Sequence, residues 1–363
     1  LADVEPHKLR SALEVLDQQP AIEPHLLSLL AWSAQYYHYP IGEVLLLALP
    51  TLLRQGRPLD ILNHYWRVAD PLPVANFKTG SSQKLAFDIL NLHDQRGAAE
   101  SVLQLMGVQR SQLKQLEKRG LAVEFMQPYQ ADPHPVQLAE LPLTPNPEQA
   151  IAITQIHQLL GAYHGILLEG LTGSGKTEVY LQAMQPVLER GQQVLVLVPE
   201  IGLTPQTIGR FQARFAAHVV MLHSGMTDVQ RLNAWQMAQN GAAHIVIGTR
   251  SAIFTPLPKL GLIVVDEEHD LSYKQQDSFR YHARDLALRR GQLQQCPVIL
   301  GSATPSLESL HLAQQSKLIH LRLTERAGTA VLAKMQLIDL RGQYRENGLS
   351  KPLLQAIRAR LDA

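Results

Sequence analysis

The chain has 363 residues, 45% of them hydrophobic and 18% charged, with a formal net charge of +1. That length allows two or three globular domains, and a net charge near zero means that any nucleic-acid surface must be local. The single cysteine, Cys296, excludes an internal disulfide or a zinc site made of cysteines within these residues. No stretch approaches the roughly 18 apolar residues of a membrane span, so we expect a cytoplasmic protein with no membrane partner.

Residues 1–57 are predicted to be helical. Pro24 stands where the first turn of a helix tolerates proline, and Leu26, Leu30 and Ala34 recur at helical spacing. Pro40 ends this pattern because its ring is incompatible with a helix interior. The sequence therefore begins with a small helical segment.

Residues 58–130 combine short helices with the strand-like run "LAVEFM", which is typical of a winged-helix domain. Arg110, Lys114 and Lys118 fall at i, i+4 and i+8 of the third predicted helix, while Leu113 and Leu116 face the other way. The three cations form a basic stripe that fits DNA binding. A solvated helix face and a protein-docking surface remain alternatives.

A proline-rich linker over residues 131–142 leads into a different pattern. From 143 to 325, apolar runs such as "QVLVLVPE" and "GLIVVDEE" alternate with helical segments. This alternation predicts an α/β domain whose parallel sheet is covered by helices on both faces. Residues 326–363 are predicted to connect it to a missing part, because both ends of the sequence suggest a piece of something longer.

The stretch "GLTGSGKT" lies between a predicted strand and a predicted helix, which is the context of a phosphate-binding loop. Glycines let backbone N–H groups close around phosphate oxygens, the lysine supplies charge to the β and γ oxygens, and the threonine hydroxyl ligates Mg²⁺. The predicted nucleotide-binding residues are Gly170, Thr172, Gly173, Ser174, Gly175, Lys176 and Thr177.

Two carboxylates, Asp266 and Glu267, follow the apolar run "LIVV" at the predicted carboxyl edge of the sheet, where ligands of parallel α/β sheets bind. Asp266 is predicted to hold Mg²⁺ with Thr177, and Glu267 to orient and deprotonate the attacking water. The second carboxylate favours hydrolysis over phosphoryl transfer.

Three further segments end predicted strands. Ser302 and Thr304, in "GSAT", are predicted to couple to the acidic residues through hydrogen bonds. Thr204, in "VPEIGLTPQ", and Thr249 and Arg250, in "GTRSAIF", are placed where a phosphodiester would lie. Each segment alone is weak, but their order along the chain is specific.

The segments "GLTGSGKTEVY", "LVPEIGLTPQT", "IGTRSAIFTPL" and "DEEHDLSYKQQDSFRYHARDLA" resemble those of the PriA family of bacterial replication-restart helicases, which belongs to helicase superfamily 2. Near the N-terminus, "YYHYPIGEVLLLALPTLLRQG" is similar to the same family. The resemblance implies a RecA-like parallel sheet, helicase lobe 1, preceded by a winged-helix domain and the helical end of a 3′-DNA-end-binding domain.

The resemblance also implies that the segment after "DEEH" is an aromatic-rich loop that contacts single-stranded DNA. Its rings would stack on bases and its cations would meet phosphates. The four polar residues Gln275 to Ser278 argue against a buried loop. The predicted contacts are Tyr273, Lys274, Phe279, Arg280, Tyr281 and Arg284.

By the same resemblance, Gln149 would read the adenine of ATP, and the activity would be ATP- and Mg²⁺-dependent 3′-to-5′ unwinding of DNA at stalled forks for primosome assembly. The implied partners are forked and single-stranded DNA, the primosome proteins PriB and DnaT, and single-stranded-DNA-binding protein, in a nucleoid-associated setting. The family's two Zn²⁺ sites and second lobe have no counterpart in these residues, so the chain alone is expected to hydrolyse ATP poorly. The alternatives are another superfamily 2 repair translocase and a non-catalytic module that binds fork DNA or a partner.

Overall fold

The computed structural model describes residues 14–17, 20–59, 63–70, 81–92, 96–127, 136–202, 205–327, 335, 337–342 and 345–361. The chain forms two compact units, Leu1–Arg326 and Ala327–Ala363. Across the described ranges, every helix is too short or too polar to cross a bilayer.

The N-terminal segment is helical, as the proline and leucine pattern predicts. Its helices are α1 (Pro24–Tyr36), α2 (Ile41–Ala48) and α3 (Thr51–Arg54). Pro24 occupies the first turn of α1, where its missing N–H has no intrahelical partner to lose. Leu26, Leu29 and Leu30 are buried on the inner face of α1.

The next part has the winged-helix arrangement that the sequence predicts, with one more long strand than expected. Its elements are β1 (Asn63–Val68), α4 (Ser81–Asn91), β2 (Ala98–Ala99), α5 (Glu100–Leu105), α6 (Arg110–Lys118) and β3 (Ala122–Gln127). The strands form an antiparallel sheet in the order β2-β1-β3. Trp66 of β1 and Leu113 and Leu116 of α6 are buried in its core.

The linker that follows is attached to the α/β domain at its end. Strand β4 (Gln137–Leu138) pairs with β7 (Phe215–Ala216), and helix α7 (Pro147–Gln158) begins soon afterwards with an Asn146 capping box. Residues 131–135 of the predicted linker lie outside the described ranges. The domain boundaries drawn from sequence remain predictions.

A seven-stranded sheet forms the centre of the chain, in the order β12-β5-β11-β10-β6-β9-β8. Every pairing in it is parallel. Its strands are β5 (Gly165–Gly170), β6 (Gln193–Leu197), β8 (Val219–Leu222), β9 (Ile245–Gly248), β10 (Leu260–Val265), β11 (Val298–Ser302) and β12 (Ile319–Leu323). The α/β fold predicted from the apolar runs is thereby confirmed.

Helices cover both faces of this sheet. They are α8 (Lys176–Glu189), α9 (Pro205–Arg214), α10 (Asp228–Gln239), α11 (Ala283–Gln294) and α12 (Leu307–Gln314). Alternate residues of one strand enter different cores: Leu195 and Leu197 pack on one face, and Val194 and Val196 on the other. The carboxyl ends of the strands therefore form one edge, which carries the predicted motifs.

The second unit holds strands β13 (Arg345–Glu346) and β14 (Leu349–Ser350), which pair antiparallel, and helix α13 (Lys351–Leu361).

Candidate ATP-binding and nucleic-acid site

The loop between β5 and α8 has the geometry of an anion cradle at a helix N-terminus. Gly173 and Gly175 have φ values of +83° and +81°, which glycine adopts without the strain of a side chain. A Cβ on Gly170 would lie 2.5 Å from the Ser174 hydroxyl oxygen. That hydroxyl is buried and has no hydrogen-bond partner among the residues that the structure describes. A tight loop with an unsatisfied donor, opening a helix of 14 residues, fits a bound phosphate.

Lys176 lies between this loop and the acidic residues. Its ammonium donates to the Gly170 carbonyl oxygen at 2.9 Å and is 3.8 Å from the Glu267 carboxylate. The side chain is almost fully buried, so its charge is held at the mouth of the loop. A buried cation whose partners within the described part of the chain are a carbonyl and one distant carboxylate is suited to an incoming phosphate.

Gln149, the predicted adenine-reading residue, has a different set of contacts. Its amide nitrogen donates to the Ser174 carbonyl oxygen at 2.7 Å, and its amide oxygen accepts from the Asn146 backbone N–H at 2.9 Å. The side chain is buried and does not line the cleft described below. In this structure Gln149 supports the phosphate loop, and its contact with adenine remains a prediction.

Asp266 and Glu267 form the turn that follows β10. Asp266 accepts a hydrogen bond from the Tyr180 hydroxyl at 3.0 Å and one from the Glu267 backbone N–H at 3.1 Å. Glu267 has a φ of +45°, a region that residues with a side chain rarely adopt and that is often found at functional sites. The strained turn presents both carboxylates beside Lys176.

Tyr180 is a site residue that sequence reasoning missed. It lies one turn after Lys176 on α8 and is fully buried. A Cβ on Gly301 would come within 1.5 Å of the Tyr180 hydroxyl oxygen, so Gly301, the first residue of "GSAT", leaves the space that this hydroxyl fills. The glycine and the tyrosine together fix one oxygen of Asp266.

Mg²⁺-dependent nucleotide binding is expected to weaken as the pH falls. The midpoint of this loss should lie at a higher pH than it would if the pKa of Asp266 were that of an ordinary aspartate. Burial and the charge of Glu267 raise the pKa of the Asp266 carboxyl, and the hydrogen bond from Tyr180 opposes that rise. Protons compete with Mg²⁺ for the carboxylate, so Tyr180→Phe should move the midpoint to still higher pH. Titrating a fluorescent ATP analogue with Mg²⁺ at several pH values measures the midpoint. Tyr163→Phe is the matched control, and an identical midpoint for Tyr180→Phe would contradict the assigned role.

A cleft of about 920 Å³ opens beside these residues. It is lined by the phosphate loop, including Lys176 and Thr177, by Asp266 and Glu267, by Arg210 of α9 and by Leu143 before α7. Its size is in the range of pockets that hold a nucleotide-sized ligand. Mg²⁺ at Thr177 and Asp266 would supply Lewis-acid stabilisation of phosphate charge. Glu267 and Lys176 both line this cleft, and their roles in activating a water and neutralising phosphate oxygens remain predictions.

Hydrogen bonds connect the acidic turn to "GSAT". His269 and the Ser302 hydroxyl are 2.7 Å apart, and the Thr304 backbone N–H donates to the same hydroxyl at 3.0 Å. Glu268, which is fully buried, accepts from the Ser306 backbone N–H at 2.7 Å and from the Ser309 hydroxyl at 2.9 Å. A movement of either segment would therefore strain the other.

A second cavity, of about 440 Å³, lies at the ends of β8 and β9. Thr249, Arg250, Ser224 and Arg231 line it, but so do the acidic Glu200 and Asp277. One guanidinium nitrogen of Arg250 donates to the carbonyl oxygens of Ser272 and Lys274 at 2.8 and 3.0 Å, so part of this cation is already bound to protein. Thr204, also predicted to contact DNA, lies outside the described residues.

The expectation that the aromatic-rich loop exposes its rings is wrong for this structure. Tyr273, Phe279 and Tyr281 are 0%, 1% and 3% exposed. The polar residues between them do not prevent burial, because Asp277 and Ser278 turn outward while the rings pack inward. Burial raises the pKa of the Tyr281 hydroxyl to about 12, and its partner is the Arg250 side chain. Base stacking on these rings would require the loop to move.

Two of the predicted cations of this region are engaged within the protein, and one is exposed. Arg284 is buried and pairs with Glu268 at 3.1 Å, so its charge is engaged within the protein, and its contact with a DNA phosphate remains a prediction. The Lys274 ammonium donates to the Arg280 carbonyl oxygen at 2.6 Å. The Arg280 side chain is exposed. Arg280 is therefore the most accessible cation of the predicted loop contacts.

The basic stripe of the winged helix is largely neutralised. Arg110 pairs with Glu100 and Glu124, and Lys114 pairs with Glu117 and Glu124. Only Lys118 extends from the stripe as an exposed cation without an ion pair among the described residues. These pairs weaken the prediction that the stripe binds DNA, since an acidic neighbour reduces the field that a phosphate would meet.

Two family models match the chain. A DEAD/DEAH box helicase model covers residues 146–313, and a 3′ DNA-binding domain model covers residues 2–50. The first contains the phosphate loop and both acidic residues, and the second contains α1 and α2.

Replication restart protein PriA of Haemophilus influenzae is 42% identical over 99% of this chain and 50% of its own length. The corresponding protein of Chlamydia pneumoniae is 38% identical over 98% of this chain and 49% of its own length. The chain thus spans about half the length of these relatives. Among solved structures, RecG bound to a three-way DNA junction is 26% identical, with a TM-score of 0.40, over 52% of this chain and 25% of that one.

Proposed function

Because the chain belongs to the PriA family of replication restart proteins, we propose that it forms the first motor lobe, with its N-terminal attachments, of an ATP-dependent DNA helicase. One observation carries the proposal: the buried ammonium of Lys176 lies 3.8 Å from the carboxylate of Glu267, beside a cleft of nucleotide size. This combination supplies phosphate binding and water activation at one point.

The finer assignments follow from the family resemblance. The helicase would move 3′ to 5′, act on stalled or repaired forks and initiate primosome assembly with PriB, DnaT and single-stranded-DNA-binding protein. ATP and Mg²⁺ would be its cofactors, and Arg280 and Arg250 would be the first cations to meet single-stranded DNA if the aromatic loop moves. The 3′ DNA-binding model over residues 2–50 supports a role for the N-terminal segment in holding a DNA end.

DNA-stimulated ATP hydrolysis is the direct test. We expect this chain to bind ATP but to turn it over slowly, and the full-length protein to respond strongly to single-stranded DNA, because a second lobe would complete the transition-state contacts. Glu267→Gln in the full-length protein should lower turnover about 10²- to 10⁴-fold while nucleotide binding remains. If single-stranded DNA stimulates neither protein, the motor assignment fails and an ATP-binding module remains.

A second role is favoured for the winged-helix part alone. Its stripe is balanced by Glu100, Glu117 and Glu124, so we propose that this part docks a protein partner rather than reading duplex DNA through α6. Winged-helix and related helix-turn-helix surfaces serve either purpose, and a neutralised face has little attraction for phosphates.

A further inference from the structure

The residue that ends the first helix reaches into the motor lobe. Tyr37 follows α1, and its hydroxyl oxygen accepts a hydrogen bond from the His282 backbone N–H at 3.1 Å. Its ring meets the edge of the Phe279 ring at a centroid distance of 5.6 Å and an interplanar angle of 87°. The Lys274 ammonium lies 5.5 Å from the centroid of the Tyr37 ring. All three contacts are made with the aromatic loop, residues 271–282.

The aromatic loop is a small hairpin, and Tyr37 contacts both of its arms. Lys274 and His282 form an antiparallel bridge at its base, and the Gln275 backbone N–H donates to the Tyr281 carbonyl oxygen at 2.9 Å. Lys274 lies on one arm and His282 on the other, so Tyr37 closes the hairpin where it begins and ends. Release of Tyr37 would loosen both arms together.

The other end of this connection reaches the nucleotide site. The Tyr273 hydroxyl, at the start of the aromatic loop, donates to the Asp266 backbone carbonyl oxygen at 2.6 Å. Tyr273 is fully buried, so this hydrogen bond is made in the core of the lobe. The loop thus lies between Tyr37 and the aspartate that is predicted to hold Mg²⁺.

Other contacts attach the N-terminal segment to the lobe without touching the aromatic loop. The Trp235 indole N–H donates to the Ala48 carbonyl oxygen at 3.0 Å, and the Leu257 backbone N–H donates to the Glu23 carboxylate at 3.3 Å. The Arg289 guanidinium lies 5.3 Å from the Trp32 ring centroid. Since these contacts already hold the segment in place, Tyr37 is not needed for attachment, and its contacts act on the loop.

We propose that Tyr37 is a positioning residue that holds the aromatic loop in its packed state, so that the N-terminal segment controls when the loop meets DNA and acts on Asp266. This proposal rests on the proposed helicase function and deepens it, because it names a regulation of the nucleotide and DNA site of the motor lobe. Coupling of this kind is reciprocal. Single-stranded DNA that favours the released loop must therefore also weaken the contact of Tyr37 with the loop.

Amide hydrogen exchange tests the packed state without any DNA. Tyr37→Phe removes the acceptor of the His282 N–H but keeps the ring, and we expect exchange in residues 274–282 to rise about fivefold, as the loss of one net hydrogen bond predicts. Tyr163→Phe removes the hydroxyl of another partly buried tyrosine, and Tyr36→Phe changes the exposed neighbour; neither should alter exchange in the loop. Unchanged exchange in Tyr37→Phe would overturn the proposal.

Binding of a fluorescein-labelled oligothymidylate tests the consequence. Tyr37→Phe should bind about fivefold more tightly, because the apparent affinity rises with the fraction of loops already released. Tyr39→Leu removes a ring that lies 5.3 Å from Phe279 but leaves the hydrogen bond between Tyr37 and His282. It should raise loop exchange and oligothymidylate affinity, each by less than Tyr37→Phe does. Weaker binding by Tyr37→Phe would overturn the control of DNA access. If Tyr37→Phe showed faster loop exchange but neither the wild type nor any variant bound DNA, the proposed function would be refuted. Tyr37 would then remain a residue that packs the loop.

Discussion

Lys176→Ala is expected to weaken nucleotide binding by about 1.5–3 kcal/mol, roughly 10- to 150-fold, because hydrogen bonds to a charged group are worth that much. The lysine ammonium is buried beside the phosphate loop, where the phosphate charge is screened less than in water. Single-stranded DNA binding should remain within about twofold, since Lys176 does not line the cavity at the ends of β8 and β9.

Two further variants separate charge from packing in this measurement. Lys176→Met keeps the aliphatic stem and should lose as much nucleotide affinity as alanine does, if the charge is responsible. Lys259→Ala is the control, because Lys259 precedes β10 at the edge of the sheet opposite Asp266 and is exposed. Titration with a fluorescent ATP analogue gives the affinities. Wild-type affinity in Lys176→Met would show that the loop binds phosphate through its backbone alone.

The residues of the phosphate loop and the acidic pair could be predicted from sequence because their signals are local. A strand, a glycine-rich turn and a helix follow each other within a few residues, so the pattern and the geometry coincide. Tyr180 had no such signal. It meets Asp266 across 86 residues of sequence, and only the packing of α8 against the sheet brings the two side chains together. Gly301, predicted only as part of a hydroxyl-rich turn, has its physical reason in that same packing.

The aromatic loop shows where residue type misleads. Three rings with basic neighbours predict an exposed stacking surface, but a hairpin places alternate side chains on opposite faces, and here the rings face the core. Composition could not reveal which face was buried, because the burying surface is distant in sequence: Phe279 packs against Tyr37 and Tyr39, about 240 residues earlier in the chain, and Tyr281 packs against Phe254. The same loop therefore looks like a DNA surface in sequence and like a packed element in structure.

Two of the longer strands escaped prediction for a related reason. The sequences "NHYWRV" of β1 and "IHLRL" of β12 mix polar and apolar residues, so neither gives the uninterrupted apolar run of a central parallel strand. Strand β12 is at the edge of the large sheet, where one side of the strand has no neighbour and polar residues are tolerated. For β12, its position at the edge of the sheet, which no local pattern encodes, explains the missed strand.

Arg284→Met is expected to lower the free energy of unfolding by about 3–5 kcal/mol, because it leaves a buried carboxylate without its cation. Glu268 is fully buried, its carboxylate is 3.1 Å from the Arg284 guanidinium, and the Ser306 hydroxyl lies 2.7 Å from the same guanidinium nitrogen. Urea denaturation followed by circular dichroism measures the change. The matched control is Arg322→Met, whose arginine is also 3.1 Å from its partner, Glu169, but is 64% exposed. A surface pair of that kind contributes about 0–1 kcal/mol.

The double variant Arg284→Met with Glu268→Gln tests the reason for this loss. A glutamine is neutral, keeps one oxygen that accepts from the Ser306 backbone N–H, and places an amide NH2 that can donate to the Ser309 hydroxyl, so the double variant should be more stable than Arg284→Met alone, with a coupling of at least about 1 kcal/mol. Oligothymidylate binding by the stable double variant then addresses the phosphate contact that the sequence predicted for Arg284. Unchanged affinity agrees with a buried arginine that joins the acidic turn to α12. If Arg284→Met instead kept wild-type stability and lost DNA affinity, Arg284 would belong to the DNA surface after all.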